Sequence, residues 1–267
     1  MTPNRDVASA PDDQPVLETR DLTVSYGGLH AVDHVSITVR PGELVGLIGP
    51  NGAGKTTTID AICGFAPSSG SIRFDGMELS GAPTHARARA GMARTFQSVE
   101  LFDDLTVRQN LLVAAQSRGG SSLLIDLVRP VRRSEVDAVV EEALALMGLE
   151  DVADALPTSL PLGNQKLAGV ARALASRPRL LLLDEPAAGL DSEESLVLGR
   201  RLRELIGVDG PAGLLIDHDT RLVFDVCDRV YVIDFGQIIS SGTPDEVRSD
   251  HRVVSAYLGR AAREGSS

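Results

Sequence analysis

The chain has 267 residues, enough to bury one large core or a core with a subdomain. Acidic residues outnumber basic ones, 37 to 26, and the net charge of −11 opposes nonspecific nucleic-acid binding, which needs dense positive charge to displace counterions from phosphate. No apolar run approaches the length of a membrane span, and the polar stretch Met1 to Pro15 lacks the apolar core of a secretory leader. Cys63 and Cys227 belong to no metal-spaced cluster and read as reduced, buried cysteines of a cytosolic protein.

Alternating apolar positions predict strands over Val16 to Tyr26 and over Val32 to Val39. Leu44 to Ile48 reads as a buried strand. It runs into Gly49-Pro50-Asn51-Gly52-Ala53-Gly54-Lys55-Thr56-Thr57, which fits the P-loop pattern G-x-x-x-x-G-K-[ST] at every fixed position. Glycine is needed there because the backbone must curl around phosphates with its N–H groups pointing inward. Lys55 supplies a point charge for the β- and γ-phosphates, and the Thr56 hydroxyl is placed to ligate Mg²⁺. Thr56 to Cys63 is predicted as a helix whose positive end faces the anion. Ser71 to Phe74 follows as another strand, closed by the turn dipeptide Asp75-Gly76.

After Gln97 the pattern becomes helical, with helices predicted over Thr106 to Gln116 and Ser134 to Met147 and a capping box at Ser134 and Asp137. Between them, Arg118-Gly119-Gly120-Ser121-Ser122 is a flexible break, and Leu123 to Val128 is a short apolar stretch. Leu180-Leu181-Leu182-Leu183-Asp184-Glu185-Pro186 is a buried strand ending in two carboxylates: Asp184 can hold Mg²⁺, and Glu185 can orient and polarise the water that attacks a γ-phosphate. A third buried strand, Gly213 to Asp217, delivers His218 to the same sheet edge, within reach of the γ-phosphate or that water. No internal repeats are visible.

Four further pieces carry a family resemblance: Tyr26 in Val24-Ser25-Tyr26-Gly27-Gly28, Gln97 in Arg94-Thr95-Phe96-Gln97, Leu160-Pro161-Leu162-Gly163-Asn164-Gln165, and Gly189-Leu190-Asp191. In this order they resemble the ATP-binding cassette (ABC) ATPases, from about Val16 to about Gly259. Within that family the chain looks most like the LivG-type ATPases of branched-chain amino-acid importers. The strings that carry this are Gly46-Leu47-Ile48, Ala93-Arg94-Thr95-Phe96-Gln97, Leu101 to Val107 with Asn110 to Val113, Asp184 to Leu190, and Ala256-Tyr257-Leu258-Gly259.

The resemblance implies a fold and a set of roles. The fold is α/β, a P-loop NTPase (RecA-like) core with an antiparallel β portion and an inserted α-helical subdomain. One ABC ATPase domain spans 16–260, with its nucleotide-binding core at 16–96 and 177–242, its helical subdomain at 97–176 and a C-terminal helical segment at 243–260; 1–15 and 261–267 are expected to be disordered. Bound ligands are ATP and Mg²⁺. Tyr26 stacks on adenine; Gly49, Asn51, Gly52, Ala53, Gly54, Lys55, Thr56 and Thr57 cradle the phosphates. Thr56, Gln97 and Asp184 face the metal, Gln97 also sensing the γ-phosphate, and Glu185 and His218 are catalytic. Gly163 and Asn164 of the signature, and Asp191 of the D-loop, contact nucleotide.

In such ATPases two cassettes pair head to tail, so that each ATP lies between the P-loop of one and the signature of the other. The signature here departs from L-S-G-G-Q. Pro161 removes a hydroxyl and an N–H, although proline at this place is familiar in the branched-chain group; Asn164 is one methylene shorter than glutamine, and Leu167 stands where a polar residue is expected. This reads either as a weakened signature or as a tolerated variation. The partners implied are a second ABC ATPase, as heterodimer or homodimer, membrane-spanning permease subunits and, indirectly, an extracytoplasmic solute-binding protein, with no nucleic acid. The chain is then peripheral on the cytoplasmic side of the cell membrane, held through the permeases, which Leu123 to Val128 either touches or leaves for its own helices. Two other functions are an exporter ATPase for lipid or envelope material and a regulatory ABC ATPase that does not transport.

Overall fold

The structure, a computed structural model, describes residues 14–95, 100–116, 133–207 and 210–264; Gln97, the break at 118–122 and the apolar stretch at 123–128 lie outside the described residues. The chain opens with β1 (Leu17–Tyr26), β2 (Leu29–Val35) and β3 (Thr38–Val39), and β4 (Leu44–Ile48) then leads into α1 (Lys55–Cys63). β5 (Ser69–Phe74), β6 (Met77–Glu78), α2 (Thr84–Ala90) and β7 (Met92–Thr95) follow. Three helices, α3 (Val107–Gln116), α4 (Arg133–Met147) and α5 (Leu162–Ala175), precede β8 (Leu180–Asp184). The remainder runs α6 (Ser192–Leu205), β9 (Ala212–Ile216), α7 (Thr220–Val226), β10 (Arg229–Asp234), β11 (Gln237–Gly242), α8 (Pro244–Ser249) and α9 (His251–Glu264).

Among the described residues the strands form two sheets. One is antiparallel, in the order β2-β1-β5-β6 with β3 also on β1; the other has the order β11-β10-β4-β9-β8-β7, parallel except for β11. β4, β8 and β9 are buried at every residue because this second sheet is covered on both faces, which is what continuous apolar runs suit. Val45 and Leu47, Leu180 and Leu182, and Leu214 and Ile216 join a core with the antiparallel sheet and α1. Leu44 and Ile48, Leu181 and Leu183, and Leu215 point the other way, into a core with helices α3 to α7. α3, α4 and α5 pack on one another to form the helical part of the molecule.

This layering fixes α1. Ile59 and Ile62 are fully buried beneath it, each contributing about 1.5–3 kcal/mol. At its C-terminal end the buried Arg87 donates to the Ala61 and Ile62 carbonyls, both at 2.7 Å, complementing the negative end of the helix. The opposite, positive end is thereby held at the carboxyl edge of the parallel sheet, next to the loop that precedes it.

Several local expectations are corrected. The single strand expected over Val32 to Val39 is two, because β1 changes partners: the buried Thr19 hydroxyl donates to the Val35 carbonyl and accepts from Ile37 N–H, and His34 has φ +52°. Ser134 lies inside α4, which already includes Arg133, so it is no cap. A reciprocal cap instead opens α3, where Thr106 N–H donates to the Gln109 side chain and Gln109 N–H to the Thr106 hydroxyl. α9 continues to Glu264, past the residue 260 at which the helical segment was expected to end.

Candidate functional site

β4 ends at Ile48 and the chain turns into the P-loop. A Cβ on Gly49 would lie 2.1 Å from the Ile233 carbonyl oxygen, and one on Gly54, at φ +108°, 2.4 Å from that of Ala31, so two neighbouring strands close on the loop where only glycine fits. Gly236 N–H fastens the loop from the β10–β11 turn by donating to the Ala53 carbonyl at 2.9 Å. Lys55 is buried and its Nζ donates to the Gly49 and Pro50 carbonyls at 2.8 and 3.1 Å, which places the ammonium inside the curl of its own loop. Gly54 is the N-cap of α1, and among the described residues no side chain caps that end and no acidic residue occupies its first turn. Asn51 and Thr56 are exposed and Thr57 half-buried. A cradle lined by backbone N–H groups, one ammonium and hydroxyls, at a positive helix end, fits a polyphosphate.

The next two strands bring the carboxylates and the histidine. β9 lies between β4 and β8 in the sheet, so His218 is delivered between the P-loop and the end of β8. Asp184 is buried, and burial pushes its carboxyl up while Arg94, 2.7 Å away, pulls it down. Glu185 is left-handed at φ +48°, a conformation that costs a non-glycine residue about 1–3 kcal/mol. It is held there because its N–H donates to the Ile216 carbonyl of β9 at 2.8 Å and its carbonyl accepts from Ala188 N–H. The turn brings its carboxylate to 3.9 Å from His218 Nδ1. The imidazole is largely exposed.

Three residues that were not singled out for roles support this edge. Asp217 is completely buried; its two oxygens accept from Ala187 N–H at 3.1 Å and Asp219 N–H at 2.9 Å, so one side chain ties the loop after Glu185 to the loop that carries His218. Burial pushes its carboxyl up, and these backbone donors oppose the rise. Lys166 of α5 is buried near Asp217 and Glu185, whose charges partly offset the lowering that burial imposes on its ammonium. Arg94 of β7 pairs with Asp60 of α1 and Asp184 of β8. Arg94 lies in β7 opposite Leu182, and no local sequence pattern marks it.

Tyr26 ends β1, half-exposed at the tip of the hairpin whose second strand sets the Ala31 carbonyl against Gly54. In the signature, Pro161 is the N-cap of α5 and contributes no side-chain hydrogen bond, while Gln165 Nε2 donates to the Leu160 carbonyl at 2.9 Å. Leu167 is buried in the helical core, which explains an apolar residue there. Asn164 is half-buried, and Gly163 packs so closely on Glu194 that a Cβ would meet its carboxylate at 2.8 Å. Asp191 caps α6, accepting from Glu193 and Glu194 N–H in a capping box with Glu194. Both of these N–H groups donate to Oδ1, at 2.8 and 2.9 Å. The structure gathers the P-loop, Asp184, Glu185 and His218 at one sheet edge, and Gly163 and Asp191 around Glu194.

A family model described as ABC transporter matches residues 32–188, more than half of the chain and all of the P-loop and β8 motifs. The chain belongs to the ABC transporter ATP-binding family. A second model, described as branched-chain amino acid ATP-binding cassette transporter, matches residues 237–263, which span β11, α8 and most of α9. The high-affinity branched-chain amino acid transport ATP-binding protein BraF of Pseudomonas aeruginosa is 41% identical over 93% of this chain and 99% of its own length. The lipopolysaccharide export system ATP-binding protein LptB of Escherichia coli is 38% identical over 92% of this chain and 98% of its own. Among solved structures, the ADP conformation of an ATP-binding cassette of an ABC transporter superposes with a TM-score of 0.81 at 30% identity, covering 92% of this chain and 99% of that one. The α/β P-loop architecture is thus that of the family, whose cassettes bind and hydrolyse ATP. Among the described residues of this cassette no helix is long and apolar enough to cross a membrane.

Proposed function

We propose that this cassette is the ATP-hydrolysing subunit of an importer for branched-chain or related hydrophobic amino acids, working on the cytoplasmic side of the membrane through permease subunits. One observation carries the cargo assignment: the branched-chain model matches the C-terminal segment 237–263, outside the nucleotide-binding motifs shared by all cassettes. Lys55 and the P-loop N–H groups hold the phosphates, Tyr26 stacks on adenine, Glu185 orients the attacking water, and His218 contacts the γ-phosphate or that water from β9. Thr56 and Asp184, with Gln97 outside the described residues, are the groups that would hold Mg²⁺; when bound, it neutralises charge on the phosphates. Among the described residues no cluster of three or more His, Cys, Asp or Glu could hold a metal.

The P-loop half-site of one chain needs the signature of another, so the working unit is a dimer. The side-chain-free N-cap at Pro161 and the short Asn164 make this chain's own signature the weaker half and favour a second cassette as partner. ATP binding closes the dimer against the permeases and hydrolysis reopens it. A lipid-exporter subunit is the second reading, because LptB is similar over almost the same span. Copurification from solubilised membranes separates the two: permeases and an amino-acid-binding protein support import, and envelope-export components contradict it.

A further inference from the structure

We propose that Arg94 is a positioning residue for the metal-facing carboxylate: forked between Asp60 and Asp184, it fixes Asp184 by one oxygen and leaves the other for the cation that arrives with nucleotide. The inference rests on the assignment of Asp184 to the metal.

Arg94 is well placed for this. β7 runs parallel to β8, with Arg94 opposite Leu182, two residues before Asp184. Its side chain is 9% exposed. Nη2 lies 2.7 Å from Asp184 Oδ2 and Nη1 lies 2.5 Å from Asp60 Oδ1, so the guanidinium gives a different nitrogen to each carboxylate and is bidentate to neither. The Phe65 ring, 5.6 Å from the guanidinium carbon, lies against it beyond the end of α1. Asp60 belongs to the helix that starts at the P-loop and Asp184 ends the strand that precedes Glu185, so one cation sets the spacing between the phosphate cradle and the hydrolytic carboxylates. A planar fork can do this; a lysine ammonium, a single point, cannot hold both carboxylates in the same geometry.

Charge leads to the same role. One guanidinium between two carboxylates leaves the triad at −1, so Asp184 keeps an attraction for a cation but is not an unpaired buried anion. An orienting partner behind a metal-facing group commonly changes metal affinity by about 10–100-fold when it is removed. A residue that only pinned α1 to β8 would affect nucleotide binding equally with and without metal.

The test is ADP binding to the purified full-length chain, measured by calorimetry in EDTA and across a Mg²⁺ titration, for Arg94→Lys, Asp60→Asn and Asp184→Asn. Asp60→Asn removes the outer, part-exposed anchor and leaves Arg94 on Asp184, so it remains informative if Arg94→Lys folds poorly. Arg94→Lys should raise the half-saturating Mg²⁺ concentration about tenfold, and Asp60→Asn should move it the same way by less, while affinity in EDTA stays within about twofold of the unmodified chain. Equal losses with and without Mg²⁺, or an unchanged Mg²⁺ requirement in both variants, would overturn the role of Arg94. A shift in Arg94→Lys alone would overturn the share given to Asp60. Asp184→Asn is the separate control: if Mg²⁺ still tightens ADP binding as in the unmodified chain, the assignment of Asp184 to the metal is what fails.

Discussion

The two halves of the nucleotide machinery in this chain are built differently. The P-loop, Asp184, Glu185 and His218 stand at the ends of adjacent buried strands, with Glu185 N–H bonded to the Ile216 carbonyl, Gly236 N–H to the Ala53 carbonyl, and the Ile233 and Ala31 carbonyls close against Gly49 and Gly54. The signature is the first turn of a helix, opened by a proline without a side-chain cap, with a half-buried asparagine. A site made from strand ends is specified many times over and holds a strained residue such as Glu185 in place. A site made from one helix end depends on the few side chains at that end, and here Pro161 and Asn164 stand where L-S-G-G-Q has serine and glutamine.

Substitutions on the two sides should therefore differ in size. Glu185→Gln removes the charge that orients water while preserving shape, so steady-state ATPase activity in the assembled transporter should fall about 10²–10⁴-fold with nucleotide binding nearly intact; activity within a few-fold of the unmodified protein would assign the role elsewhere. Lys55→Ala removes charge-assisted hydrogen bonds worth about 1.5–3 kcal/mol, and calorimetry should show nucleotide affinity falling with turnover. Asp217→Asn puts an amide where two backbone N–H donors need acceptors, so about 1–3 kcal/mol should be lost in thermal or denaturant unfolding, with a lower kcat as the Glu185 and His218 loops part. On the signature side, Asp191→Ala should cost about 1 kcal/mol of stability through the lost cap of α6 and leave nucleotide affinity unchanged. A large loss of affinity with little loss of stability would return Asp191 to the nucleotide.

The difference also explains what the amino-acid pattern could and could not reveal. The strands flanking the P-loop, the carboxylate pair and His218 were legible because local signals agree: apolar runs of strand length, followed by residues whose chemistry requires a sheet edge. Arg94 and Asp217 were not, because their roles depend on partners 90 and 30 residues away that only the strand order brings near. The split of Val32 to Val39 depends on one buried hydroxyl, Thr19, which alternation cannot register. Asp191 stands out only as part of a family string, whereas Ser192, Glu193 and Glu194 after it also make it a helix cap, and that cap forms.

The asymmetry between the halves can be measured in a mixing experiment. A second copy of this chain carrying Pro161→Ser and Asn164→Gln, with Lys55→Ala to disable its own P-loop, supplies a restored signature in trans to an intact P-loop half-site. Steady-state ATPase turnover of the unmodified chain is measured alone and after mixing, at concentrations that favour the dimer. Turnover that is low alone and rises severalfold on mixing is the predicted result, since each restored hydrogen bond to phosphate contributes about 1.5–3 kcal/mol. Rapid turnover by the unmodified chain alone, with no gain on mixing, would contradict the weak-signature account and make Pro161 and Asn164 neutral variations.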